Sequence, residues 1–148
     1  MDLKERLMED LKQAMRAQDT RRRDTIRMVR SAIKNAEIET QGEADDAKVI
    51  EILAREVRMR EEALLLFRQG NRDDLVAKTE AEIAILQEYM PRQLDEAEIR
   101  EAVQGVVDEL GANDMRDLGA VMQKAMSELK GRADGRMVNQ IAREILSS

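Results

Sequence analysis

Apolar residues recur every three or four positions along nearly the whole chain, and each run ends at a polar or glycine break. Leu3, Leu7, Leu11, Ala14 and Met15 form one such stripe, and Ile26, Val29, Ile33 and Ala36 form the next, with Asp19 and Thr20 between them as helix-cap residues. Gln41-Gly42-Glu43 closes the second stripe and Asp45-Asp46 opens a third, carried by Val49, Ile52, Leu53, Val57, Leu64 and Phe67 towards Gly70. A fourth stripe, with Leu75, Val76, Ile83, Leu86 and Met90 as its expected buried face, ends at Pro91, which cannot sit in a helix interior. Beyond it, Asp95 and Glu98 have the spacing of a capping box ahead of Ile99, Val103, Val106, Val107 and Leu110, and Gly111 is the stop. Asn113 or Asp114 then caps a helix bearing Leu118, Val121, Met122, Ala125, Met126 and Leu129. A tight turn, Lys130-Gly131-Arg132-Ala133-Asp134-Gly135, leads to the last stripe, Val138, Ile141, Ala142, Ile145 and Leu146.

The pattern predicts an all-α protein: an N-terminal helical hairpin or bundle domain over 1–91 and a small three-helix tail domain over 92–148. Composition agrees. Of 148 residues 43% are hydrophobic but only 1% are aromatic, so the core must be built from Leu, Ile, Val, Ala and the ten Met, a set that favours helices over a β-sandwich. A chain of this length buries roughly two-thirds of its unfolded surface, enough for one or two small domains.

Cys and His are absent. That excludes a disulfide framework, a thiolate nucleophile, a Cys/His zinc site and imidazole acid–base chemistry. The glycines form no phosphate-binding loop, and the paired carboxylates lie at helix starts or on charged faces. A carboxylate-bridged di-metal bundle would want a histidine element. No catalytic residues, metal or cofactor are therefore assigned. No apolar run approaches the about 20 residues needed to span a bilayer, and no secretory apolar core stands at the N-terminus, so a cytoplasmic protein is expected.

Charge is uneven. The chain carries a formal −6, yet from Lys12 to Lys34 eight basic residues face two acidic ones. Arg21, Arg22, Arg23, Arg27 and Arg30 lie in that run. They form either a solvated outer face paired with neighbouring acids or a patch that attracts a phosphate backbone. Arg55, Arg58 and Arg60 stand near Glu51, Glu56, Glu61 and Glu62, where helix-spaced ion pairs account for them. In the tail, residues 92–115 are acidic and 116–148 carry a local excess of cations. Within the terminal turn, Gly131 suits a left-handed helix end and Asp134 suits an N-cap. Those roles do not require Arg132 and Arg136 on either side of the cap.

From Leu118 to Leu146 the stretch LGAVMQKAMSELKGRADGRMVNQIAREIL resembles the tail domain of the GatB/YqeY family, and Arg68–Leu94, RQGNRDDLVAKTEAEIAILQEYMPRQL, resembles its stand-alone YqeY branch. The resemblance covers nearly the whole chain, including an N-terminal helical domain that the amidotransferase subunit lacks. It implies kinship with glutamine-dependent amidotransferases, carbon–nitrogen ligases with glutamine as amido-N-donor that correct misacylated tRNA. In that family the chemistry belongs to a large N-terminal domain and the tail contacts tRNA. Only the tail is matched here, at Lys130, Gly131, Arg132, Ala133, Asp134 and Gly135.

The leading expectation is a tRNA-engaging accessory protein, with an aminoacyl-tRNA synthetase or amidotransferase subunits as protein partners. Lys130, Arg132, Arg136 and the N–H groups of the turn, which includes Gly131, Asp134 and Gly135, would meet phosphates. Arg21, Arg22, Arg23, Arg27 and Arg30 would add a second contact. With one Phe and one Tyr there is no stacking platform for splayed bases, so recognition would run through shape and phosphate. Two other readings stay open: a helical protein-interaction module in which KGRADG is turn chemistry alone, and an amidotransferase component that works only with other subunits.

Overall fold

The computed structural model describes residues 1–129 and 131–148. Among them the chain is all-α, with seven α-helices, one 3-10 turn and no strand. It divides into two compact units, Met1–Met90 and Pro91–Ser148.

The first unit contains α1 (Leu3–Arg16), α2 (Thr20–Thr40), α3 (Asp46–Gln69) and α4 (Asp73–Gln87). One capping device starts three of them: the carboxylates of Asp2, Asp19 and Asp45 accept from the N–H groups of Glu5, Arg22 and Lys48. Each satisfies an N–H that the helix leaves unpaired, a contribution of about 1 kcal/mol. Lys4 at the start of α1 pairs with Glu37 near the end of α2 at 2.7 Å, so these two helices run antiparallel as a hairpin. Leu7, Leu11, Ile26, Val29, Ile33, Val49, Leu53, Val57, Ile85, Leu86 and Tyr89 make the core.

Three departures from the sequence pattern have physical causes. The left-handed residues at helix ends in this unit are Gln18, Gln41 and Asn71; Gly70 does cap α3, but at φ −87° and not in the left-handed region. On α4, Leu75, Val76 and Ile83 are only half-buried, while Thr79 and Ile85 go deeper. Apolar residues occur on more than one side of α4, so periodicity alone does not select its buried face. Finally, Arg60, for which the sequence predicts helix-spaced ion pairs, has such a neighbour in Glu56 but is 8% exposed and also pairs across to α4. Its Nε donates to Glu82 at 2.8 Å, and Glu56 of its own helix lies 3.7 Å away.

The second unit contains α5 (Glu96–Leu110), a 3-10 turn (Met115–Asp117), α6 (Leu118–Leu129) and α7 (Gly135–Ser147) around Ile99, Val103, Val106, Val107, Val121, Ala125, Leu129, Val138, Ile141, Ala142 and Leu146. Asp95 and Glu98 form the reciprocal capping box, and Gly111 closes α5 in the left-handed region at φ 64°. Asp114 caps the 3-10 turn that leads into α6.

Arg92 also grips Glu98, at 2.6 Å, and this pairing, with the Asp95 N–H behind it, holds the Glu98 carboxyl at about 2, below its ordinary 4.5. A carboxyl depressed in the folded state stabilises fully above its unfolded value and loses that contribution as pH falls through the folded one. Acid unfolding followed by circular dichroism should therefore show a stability loss between about pH 4.5 and 2 that is smaller in Arg92→Ala and in Glu98→Gln than in the wild type, the other depressed carboxyls (Glu37, Asp74, Asp114 and Glu144) supplying the rest.

Candidate nucleic-acid interface

The bend between α6 and α7 is built mainly from backbone. Leu129 O accepts from the N–H groups of Arg132 at 2.9 Å and Ala133 at 3.2 Å. Gly131 is buried with φ at 79°, a conformation in which a side chain crowds its own carbonyl. The bend is also held from a distance. Gln93 Nε2 donates to Gly131 O at 2.7 Å, and Leu94 N–H donates to Arg132 O at 2.8 Å. The segment after Pro91 therefore clamps the carbonyl side of the bend, leaving Arg132 exposed. Gly131→Ala should lower unfolding stability by about 1–2 kcal/mol, read as a fall in the urea midpoint.

Asp134 caps α7 by accepting from Arg136 N–H at 2.9 Å, and its carbonyl takes Val138 N–H at 3.0 Å. Gly135 is the first residue of α7, and a Cβ there would meet the Met126 side chain at 3.5 Å. The N–H groups of Arg132, Ala133 and Arg136 thus have partners inside the chain, and a carboxylate occupies the α7 N-terminus. This narrows the expectation that backbone N–H groups of the turn meet phosphates by removing those three, and shifts the weight of that expectation to the side-chain cations. Lys130 lies outside the described residues. Arg136 is exposed but engaged within the chain.

Arg132 differs from its neighbours. Most cations of this unit have a close partner: Arg92 with Glu98, Arg100 with Glu144 at 2.7 Å, Arg116 with Asp114 at 2.8 Å and Lys124 with Glu109 at 3.0 Å. Arg143 donates to Asn139 at 2.7 Å. Among the described residues Arg132 has no side-chain ion pair or hydrogen bond.

The basic run on α2 splits into two parts. At its start, Arg22 pairs with Glu88 and lies 3.6 Å from Asp19, and Arg23 holds Asp24 at 2.9 Å. Arg21 is exposed beside them. Further along, Arg27 and Arg30 are exposed and line a groove of about 510 Å³ with Lys4, Leu7, Ser31, Ile33, Lys34 and Glu37. Arg27 Nη2 lies 4.0 Å from the sulfur of Met15. Lys4 and Glu37 neutralise each other: their hydrogen bond raises the ammonium and, together with Ala44 N–H at 2.8 Å, lowers the carboxyl. Lys34 and Lys4 escaped selection as site residues, although Lys34 continues the helical spacing of Arg27 and Arg30.

Among the described residues no group of His, Cys, Asp and Glu is placed to hold a metal ion, and no helix is long and apolar enough to cross a membrane.

Comparison with known proteins matches residues 4–146 to the family described as Yqey-like protein. Among curated proteins the chain is similar to "Altered inheritance of mitochondria protein 41, mitochondrial" from three fungi. It is 31% identical to the Pyrenophora tritici-repentis protein over 97% of this chain and 80% of that one. The Lachancea thermotolerans protein is 37% identical over 70% of this chain and 57% of its own length, and a Saccharomyces cerevisiae protein 36% identical over 87% and 61%. The chain thus spans about three-fifths of the length of the two yeast relatives. These relatives are named as mitochondrial proteins, which contradicts the cytoplasmic location expected from the sequence. The absence of cysteine and of an apolar run does not separate those two compartments.

Proposed function

The chain belongs to the Yqey-like protein family, and from that premise we propose that it is a tRNA-engaging accessory protein whose terminal bend meets the phosphate backbone. The observation that carries this reading is Arg132: an exposed guanidinium without a carboxylate partner among the described residues, on a bend held by Gln93 and Leu94. A cation kept unpaired in an otherwise well-paired unit retains its full attraction for an incoming anion. Lys130 and Arg136 flank it in the sequence, and the exposed α2 cations give the first unit a second basic surface. Tyr89 is buried with its hydroxyl donating to Asp10, which leaves Phe67 as the only other ring and supports contact through phosphates over base stacking.

We place such a contact in an amide-transfer complex or with a synthetase, the settings that the resemblance of the tail sequence to an amidotransferase subunit implies. Any reacting groups would come from other subunits. Photocrosslinking of the purified chain to unfractionated tRNA, with the linked peptides mapped by mass spectrometry, tests the proposal. Crosslinks should fall on residues 129–137. Their absence from that stretch, with or without crosslinks elsewhere, would overturn it.

A further inference from the structure

The α1/α2 groove is more than a second patch of positive surface. On α2, Arg27, Arg30 and Lys34 stand three and four residues apart, which places them on one face within about 10 Å along the axis. They border a hollow whose floor is apolar, Leu7 and Ile33 being 1% and 4% exposed. Glu37 is the acidic residue of the lining, and it is already engaged by Lys4 at 2.7 Å and by Ala44 N–H. Among the described residues, no ion pair engages Arg27, Arg30 or Lys34. Three cations therefore face a concave volume in the size range of small-molecule sites, with the carboxylate that could neutralise them held elsewhere.

We infer that this groove is a binding site for a compact oligophosphate anion, the linked phosphates of a small molecule, held by Arg27, Arg30 and Lys34. The two guanidinium forks suit bidentate contact with phosphate oxygens, and the lysine adds a point charge at the far end. Two or more linked phosphates match three clustered cations better than one phosphate does, since each added charge is attracted by the same uncompensated field. The assignment stands on the groove alone and does not depend on the tRNA reading.

Isothermal titration of the full chain with inorganic tripolyphosphate, with orthophosphate in parallel, tests it. Tripolyphosphate should fill a single saturable site and bind about tenfold or more tighter than orthophosphate, and the double variant Arg30→Gln with Lys34→Gln should weaken it at least about tenfold. Both side chains are exposed, so the variant should keep the wild-type melting curve. Arg132→Ala should leave tripolyphosphate binding unchanged, which separates this site from the bend. Absence of saturable binding, equal affinity for orthophosphate, an unaffected double variant, or loss of binding in Arg132→Ala would each overturn the assignment. Binding of tRNA in the absence of tripolyphosphate binding would overturn it too, while sparing the proposed function.

Discussion

Arg60→Ala should destabilise the first unit by about 3 kcal/mol, the largest loss expected from any single charged residue here. The side chain crosses from α3 to α4, donating Nε to Glu82 at 2.8 Å and Nη1 to the carbonyl of Glu56 at 3.1 Å. The Glu56 carboxylate lies 3.7 Å away, and both carboxylates are only 13% exposed. Removing the guanidinium leaves two little-hydrated negative charges without the cation that bridged them, and that residual charge, more than the lost attraction, sets the size of the effect. Arg60→Lys keeps a charge but loses the planar fork, so its loss should be about half as large. Urea unfolding followed by circular dichroism checks both. A loss under about 1 kcal/mol in Arg60→Ala would show that water reaches the carboxylates and the buried triad is not a structural tie.

Affinity for tRNA should fall steeply with salt. If Lys130, Arg132 and Arg136 together neutralise three phosphates, raising salt from about 50 to about 200 mM should weaken binding roughly fortyfold, because each contact releases a condensed counterion. Sequence preference should be weak, since phosphate contacts position a protein without reading bases. Fluorescence titration at several salt concentrations gives the slope. A salt-independent affinity would mean that contacts other than phosphate hold the complex.

Much of the helix map is legible in the sequence because apolar spacing and caps agree: Asp19, Asp95, Gly111 and Asp134 all serve as the pattern requires. What stays hidden depends on packing between helices. Nothing local distinguishes Arg60, which is buried, from Arg58, which is exposed, until α4 brings Glu82 against it. The buried Thr79 and Ile85 likewise reflect which side of α4 meets its neighbours.

The candidate site divides the same way. The cationic bend and its glycine can be read from KGRADG, but the clamp by Gln93 and Leu94 joins positions 38 residues apart and has no local signature. Along α2 the sequence shows a run of arginines without saying which are neutralised. Arg22 and Arg23 have close acids, whereas Arg27 and Arg30 open onto a groove that exists only once α1 packs alongside. Glu88, which engages Arg22, is 66 residues away.

The measurement that bears most directly on the central claim compares unfractionated tRNA binding by the wild-type chain and by Arg132→Glu, side by side at about 50 mM salt, where phosphate attraction is strongest. The predicted result is clear binding by the wild type and at least about tenfold weaker binding by the variant, with its melting temperature unchanged. Equal affinity of the two chains, or no binding by the wild type, would contradict the account.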